Sequence, residues 1–552
     1  MTKRRTALLG FAAVFAIIAG ACGDSSEPSG QGGATSTTLG VAGGTVGTTR
    51  PVIDADTTAI LRYGSMQANS LDPVLQKTPC EITQMRLLYD TLFYYDSSGK
   101  LQPMLATEYK LDDPLNLTVK LRTGVKFQDG TAFNAEAVKF VIDRALTDAT
   151  SNIKGTLYML DSVTAVDETT VRFKMKSAAG GPLLAQLADR PGLMYSPTAL
   201  KAAASPTDFF AKNPVGSGMY KITGEYRPIE SMSVRSWDGY WDTTTPRLGG
   251  IDMTEVKVDA LVNAIKSPQF DLVPIDAASQ VAGLKDATDV VVKIDPSIQL
   301  RTFLINATEK PFDDVKVRQA MAYGIDRKAV TDVMTEGLVG PRIQWYPKGF
   351  VGYDAALDAI YPYDVAKAKQ LLTEAGFPNG FTFNAVIGDT STSYIQQNEL
   401  IQAQLKKIGV TMNITFVPTA QTVPTFYPTD ATKKSGVVAG AWGANLTFDP
   451  DAFFRPRYLA EGNTNVGRDE LAGLRDVLTQ AAAAADDATR TKLYAQASKL
   501  TLDSLLEGFP LFSVPAIQAY KNYVGGITVA ETRCPATLRG KYITKGKVAV
   551  KS

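Results

Sequence analysis

An α/β fold is predicted for this 552-residue chain by three observations. Short segments that alternate apolar and polar residues, such as Leu117–Leu121 and Thr169–Met175, are interleaved with amphipathic stretches carrying helix caps. Hydrophobic residues at 45% with 20% charged match an ordinary globular body. Past the N-terminal leader, no apolar run approaches the roughly 20 residues a membrane-spanning helix needs.

The leader itself is specific. Lys3, Arg4 and Arg5 precede an apolar run from Ala7 to Ala19, and Ala19-Gly20-Ala21 leads into Cys22. A basic start, a short apolar core and small residues before a cleavage point form a secretory signal peptide. The Ala-Gly-Ala-Cys ending resembles the bacterial lipobox, in which the cysteine sulfur is acylated and becomes the mature N-terminus. Residues 1–22 are therefore read as a lipoprotein signal, with lipidation at Cys22; a plain A-x-A cleavage is the competing reading. Residues 23–50 are rich in Gly, Ser and Thr and carry no aromatic side chain. Such a segment buries too little apolar area to offset the entropy of ordering it, so it reads as a disordered tether with a reach of roughly 30 Å. The expected location is extracytoplasmic, anchored to the cell membrane, in the periplasm or at the cell surface.

From Pro51 onward, one large soluble body is expected. The 57 basic and 56 acidic residues form no single-sign block, which argues against a nucleic-acid partner. Histidine is absent altogether, which excludes Ser-His-Asp and Cys-His nucleophile systems and HExxH zinc sites. No cofactor and no metal site is called for. With Cys22 acylated, Cys80 and Cys534 remain of the three cysteines, an even number in an oxidising compartment. A disulfide between them is expected, with two unpaired thiols as the alternative.

The elements follow in order. Leu61–Ala68 reads as an opening strand, then a turn at Ser70-Leu71-Asp72-Pro73. Asn134 is a good N-cap for a helix to about Leu146. Strands fit Leu117–Leu121, Thr169–Met175, Met219–Thr223, Ser231–Arg235, Leu300–Asn306, Val410–Phe416 and Gly436–Ala441. Helices fit Val315–Tyr323, Arg327–Glu336, Val365–Ala375, Ser393–Ile408, Asp469–Ala485 and Asp487–Leu506.

Several of these segments carry recognisable motifs. Leu121-Arg122-Thr123-Gly124-Val125-Lys126-Phe127-Gln128-Asp129-Gly130 with Ala135-Glu136-Ala137-Val138-Lys139-Phe140 resembles the "LRxGVKFHDG…AEDVKF" signature of extracellular solute-binding family 5, the peptide/nickel-type binding proteins of ABC transporters. Gln128 stands where histidine is frequent. Pro214-Val215-Gly216-Ser217-Gly218-Met219-Tyr220 is similar to "PVGTGPY", and Val317 to Arg327 to "VRQALxYAIDR". Tyr363 to Gly376 resembles "YDPxKAKxLLxEAG", and Asp449-Pro450-Asp451 follows Trp442 as in many members. Taken singly, these motifs read as scaffold. Asp129-Gly130 is turn chemistry. Arg318 and Asp326 are expected to cap or pair, and Gly216 and Gly218 to adopt backbone angles closed to other residues.

The resemblance implies a periplasmic-binding-protein-like, two-lobed α/β fold (type II, the three-domain peptide-binding variant) with the ligand cleft between lobes. Residues 51–89, 212–296 and 513–552 would form lobe I, residues 90–211 an inserted domain, and residues 297–512 lobe III. Segments near Pro296–Thr302 and Leu511–Val514 would be the hinge. The implied function is the substrate-binding subunit of an ABC importer. It would capture an oligopeptide or another mid-sized polar solute and deliver it, as a monomer, to permease and ATPase subunits.

Trp442 is the leading ligand-contact candidate, since a bulky aromatic after an apolar strand packs on ligands at low entropy cost. Peptide-binding relatives place an aspartate for the α-ammonium group where Asn445 stands here, and a neutral amide does not compensate a buried ammonium. Tyr63, Met66 and Asn69 on lobe I and Phe426 and Tyr427 on lobe III are secondary candidates. Two other classes remain. One is a surface receptor or chaperone on the same fold. The other is a penicillin-binding enzyme, for which Ser151-Asn152-Ile153-Lys154 matches S-x-x-K and Lys434-Ser435-Gly436 mimics K-[ST]-G.

Overall fold

The computed structural model describes residues 37–39, 56–65, 68–76, 82–96, 99–244, 247–388, 392–418, 421, 439–444, 447–462, 464–484, 486–527 and 544–545. In chain order, the first strands are β1 Thr37–Leu39, β2 Ile60–Tyr63, β3 Phe93–Tyr95, β4 Leu101–Pro103, β5 Ala106–Asp113 and β6 Asn116–Leu121. They continue as β7 Leu160–Asp167, β8 Thr170–Met175, β9 Tyr220–Arg227, β10 Ser231–Ser236, β11 Gly250–Thr254 and β12 Leu272–Ile275. Then come β13 Val290–Ile305, β14 Thr382–Gly388, β15 Thr411–Val417, β16 Ala439–Ala444 and β17 Phe509–Lys521, followed by the two-residue strands β18 Val524–Gly525 and β19 Thr544–Lys545.

A nine-stranded mixed sheet runs in the order β1-β13-β17-β12-β2-β11-β10-β9, with β16 also paired to β13. A separate antiparallel sheet, β5-β6-β8-β7, is packed by the helix Ala135–Thr147. That helix starts where expected, because the Asn134 side chain accepts from the Ala137 amide at 3.0 Å. Its buried stripe, Val138, Val141, Ile142 and Ala145, belongs to the same apolar cluster as Val119 and Phe173 of the small sheet and Leu61, Val234 and Ile251 of the large one. The small sheet and this part of the large sheet therefore share one core and form a first body.

Separate clusters make a second body. One gathers Phe312, Met321, Leu372, Ile387, Leu405 and Phe509; another gathers Trp345, Tyr346, Phe454, Leu478 and Tyr494. Their helices, Val315–Gly324, Arg327–Thr335, Val365–Glu374, Thr392–Leu405, Leu474–Ala483 and Asp487–Ser504, lie within a few residues of the expected spans. The largest difference is Leu474, five residues beyond the Asp469 start expected from sequence. Gly409, at φ +87°, closes the run after Ile408.

Two of the structural roles expected of motif residues hold, and one needs correction. Asp326 caps the helix Arg327–Thr335, and Arg318 holds the carbonyls of Phe312 and Ser504. Gly216 and Gly218, in contrast, are not among the positive-φ glycines. They are required by close approach: a Cβ on Gly216 would lie 2.0 Å from the Leu88 carbonyl oxygen, and one on Gly218 would lie 2.5 Å from the Leu88 carbonyl carbon. Gln128 seals the same seam, donating to the carbonyls of Gly218 and Tyr220 at 3.1 and 2.7 Å.

The opening strand is shorter than expected, Ile60–Tyr63, and the strand expected at Leu300–Asn306 is the end of a 16-residue one. Sequence alternation does not reveal that length, because Val290–Ile305 begins in the core of one body and ends in that of the other.

Candidate functional site

Strands β13 and β17 connect the two bodies. Their antiparallel ladder runs from Val290↔Lys521 to Pro296↔Pro515, breaks, resumes at Leu300↔Ser513 and ends at Phe303↔Phe509. A break of this kind bends paired strands, and here it falls between the two sets of cores. The Ser297 hydroxyl bridges it by donating to the Val514 carbonyl at 2.7 Å.

Arg342 is clasped against the same break. Its guanidinium donates to the Ser297 carbonyl at 3.3 Å, the Ser513 hydroxyl at 3.0 Å and the Trp345 carbonyl at 2.8 Å. All three are neutral oxygens, and burial pushes its pKa down to about 9. One buried cation thus holds both connecting strands.

Beyond the break, β16 lies along β13 with Trp442 opposite Thr302 and Gly443 opposite Arg301. The Arg301 guanidinium sits 4.0 Å from the centre of the Tyr394 ring and donates to its hydroxyl. A Cβ at Gly443 would come within 2.9 Å of that hydroxyl and 3.2 Å of the Arg301 Nη1, so glycine leaves room for the pair. Arg301, Tyr394 and the backbone of Trp442 are thereby gathered where the two bodies meet.

Of the residues singled out from sequence, Trp442 has its backbone at this junction. Tyr63 is fully buried in the core of the first body, where burial raises its hydroxyl pKa, and Asn69 is exposed. Met66, Asn445, Phe426, Tyr427, Cys22, Cys80, Cys534, Lys434 and Ser435 lie outside the described residues. Ser151 donates its hydroxyl to the Ala145 carbonyl at 2.8 Å, a turn bond just past a helix end. Asp449 and Asp451 are each taken by an arginine, Asp449 by Arg490 at 2.6 Å and Asp451 by Arg455 at 2.8 Å. These pairs commit both carboxylates to structure.

Arg301, Tyr394 and Arg342 escaped the sequence reading. A charge inside the alternating run Ile298–Ile305 was the available signal for Arg301; Arg342, in a Gly-Pro-Arg loop, gave none. A surface cavity of about 400 Å³ lies elsewhere, walled by Asn134, Glu136, Lys139, Phe140, Asp143 and Lys201. There Lys139 pairs with Asp143 and Lys201 lies over the Phe140 ring, away from the junction of the two bodies, and it is not the candidate site.

Two bodies with separate cores, joined by two long strands that break between them, define a two-lobed binding protein. Residues 100–465 match the family model described as "Bacterial extracellular solute-binding proteins, family 5 Middle", and the chain belongs to that family. It is 33% identical over 370 residues to the glutathione-binding protein GsiB of Pectobacterium atrosepticum, covering 66% of this chain and 70% of that one. HbpA2 from Haemophilus parasuis superposes with a TM-score of 0.76 at 21% identity, over 88% of this chain and 99% of that one. The periplasmic binding protein DppA from Helicobacter pylori, in complex with the peptide STSA, gives 0.71 at 23%, over 89% and 99%. Among the described residues, no helix is long and apolar enough to cross a membrane.

Proposed function

We propose that this chain is the substrate-binding subunit of an ABC importer whose cargo is a short peptide or peptide-like solute. The observation that carries the reading is the junction itself, where two cores are joined by a broken ladder beside Arg301, Tyr394 and Trp442. Its relatives named as glutathione- and peptide-binding support the cargo class. In this reading lobe I comprises residues 51–89, 212–296 and 513–552, residues 90–211 form an inserted domain that moves with it, and residues 297–512 form lobe III. The segments at 296–302 and 511–514 flex, the lobes close, and the cargo is buried and released unchanged. Trp442 and Asn445 face the cargo from lobe III, and Asn445 favours ligands without a free α-ammonium at that point. Lipid on Cys22 and the tether of residues 23–50 keep the monomer near its permease, raising the local concentration, while Cys80 and Cys534 pair. The chain performs no catalysis.

Thermal unfolding of the purified protein with reduced glutathione and with pools of di- to pentapeptides tests the cargo class. A ligand at 100 times its Kd adds about 2.7 kcal/mol of stability, which reads as a clear upward shift in Tm. No shift with any pool removes peptides from the reading.

A further inference from the structure

The inserted domain makes two very different contacts. Toward lobe I it shares a continuous apolar core. Toward lobe III that cluster takes in Ala482 alone among the described residues, and polar and aromatic groups meet beside it. Tyr158 donates its hydroxyl to the Asp451 carboxylate, both of whose oxygens are held by the Arg455 Nε at 2.8 Å. The Arg455 guanidinium lies 5.9 Å from the centre of the Tyr158 ring. Nearby, Tyr95 stacks on Phe448 at 4.8 Å, and Phe448 stacks on Phe350 at 5.8 Å. Arg490, bound to Asp449, lies against Gly181, where a Cβ would come within 2.5 Å of the guanidinium carbon.

This contact is built to part. Each carboxylate has its arginine on its own side, so separation strands no unpaired charge. The Tyr158 residue is 42% exposed even in contact, so water is at hand to replace Asp451 as the partner of its hydroxyl on separation. None of these groups lies on the two connecting strands.

We propose that Tyr158 and Asp451 form a latch between the inserted domain and lobe III, which holds the closed form from outside the cleft. Tyr158 is then a positioning residue: it touches no cargo, but it sets how much of the free protein is closed and how slowly bound cargo leaves. The inference rests on the two-lobed closing motion proposed above, and its test separates the two. Solution scattering and amide hydrogen exchange are recorded on ligand-free wild type, Tyr158→Phe and Tyr158→Ala. Wild type is also measured with reduced glutathione and with the peptide pools.

Losing one hydrogen bond to a charged group shifts the open-to-closed ratio roughly tenfold. Tyr158→Phe is therefore expected to show a larger radius of gyration than wild type and faster exchange at residues 447–458, with an unchanged circular dichroism spectrum. Tyr158→Ala is expected to go further. Tyr158→Phe retains the ring and the fold, so it decides the matter even if the alanine variant misfolds. Tyr158→Phe matching wild type in both radius and exchange overturns the latch. Failure of wild type to contract with any added ligand counts instead against the closing cleft or its cargo class, and leaves the ligand-free comparison in force.

Discussion

The seam between the inserted domain and lobe I and the seam between the same domain and lobe III differ in kind. Across the first, the Gln128 side chain donates to the carbonyls of Gly218 and Tyr220 at 3.1 and 2.7 Å, and the apolar cluster runs through without interruption. Across the second, that cluster reaches Ala482 alone among the described residues, and a phenol, a pair of arginine-bound carboxylates and a short aromatic stack meet beside it. An apolar seam loses all its stabilisation when water enters, whereas paired polar groups exchange one set of hydrogen bonds for another. In the proposed closing motion, the first seam keeps the two domains together and the second is where they part from lobe III.

The largest effect is expected beside the first seam, within lobe I. Gly216→Val drives a side chain into the Leu88 carbonyl, which only a backbone shift relieves, so the cost exceeds the roughly 3 kcal/mol of ordinary overpacking. Expression of soluble protein and a cooperative melt are the measurements. A Gly216→Val protein that melts near wild type shows that the Leu88 backbone yields and that this part of lobe I is not tightly packed.

How much of this was legible in sequence depends on how local the cause is. Asn134, Asp326 and Gly409 act on their own helix ends, and their residue types announced those ends correctly. Gly216 and Gly218 were legible as special glycines, but the reason is a neighbour more than a hundred residues away, so the backbone-angle explanation failed. Arg342 and Tyr158 acquire their roles from Ser513 and Asp451, at separations of 171 and 293 residues. No local pattern encodes such a pairing. The family motifs indicated two lobes well before any single cleft residue could be placed, because they are scaffold.

A smaller effect is expected from the polar tie inside the first seam. Arg144 holds both oxygens of Asp72 at 2.8 and 2.6 Å, and both side chains are nearly buried. Arg144→Met leaves that carboxylate buried without its cation, at a cost of about 3–5 kcal/mol. Replacing both, as Asp72→Leu with Arg144→Met, is expected to recover most of that loss, since matched apolar groups leave no charge stranded. Urea titration of the single and double variants measures the difference. If the double variant is no more stable than the single one, the pair carries more than charge compensation.

The smallest effect, and the most diagnostic of the second seam, comes from Asp451. Burial is the first cause that lifts its pKa from 3.8 to about 6, and the Asp449 carboxylate adds to the rise. Arg455 and the hydroxyl of Tyr158 oppose it; Tyr494, its hydroxyl 3.4 Å away, completes the surroundings. The folded protein therefore keeps this proton in a range where the unfolded chain has released it. The resulting stabilisation is complete below about pH 3.8 and is lost as the pH rises through about 6. A shift of two pH units corresponds to at most about 3 kcal/mol. Melting temperatures of wild type and Asp451→Asn between pH 4 and 7.5 isolate this group, because the variant lacks its titration. Relative to the variant, wild type is expected to lose ground from pH 4 to 6 and then hold level. A difference that instead grows in favour of wild type with rising pH means that Arg455 outweighs burial, so that the carboxylate is strongly favoured as an anion. In that case acid weakens the Asp451 end of the latch throughout this range.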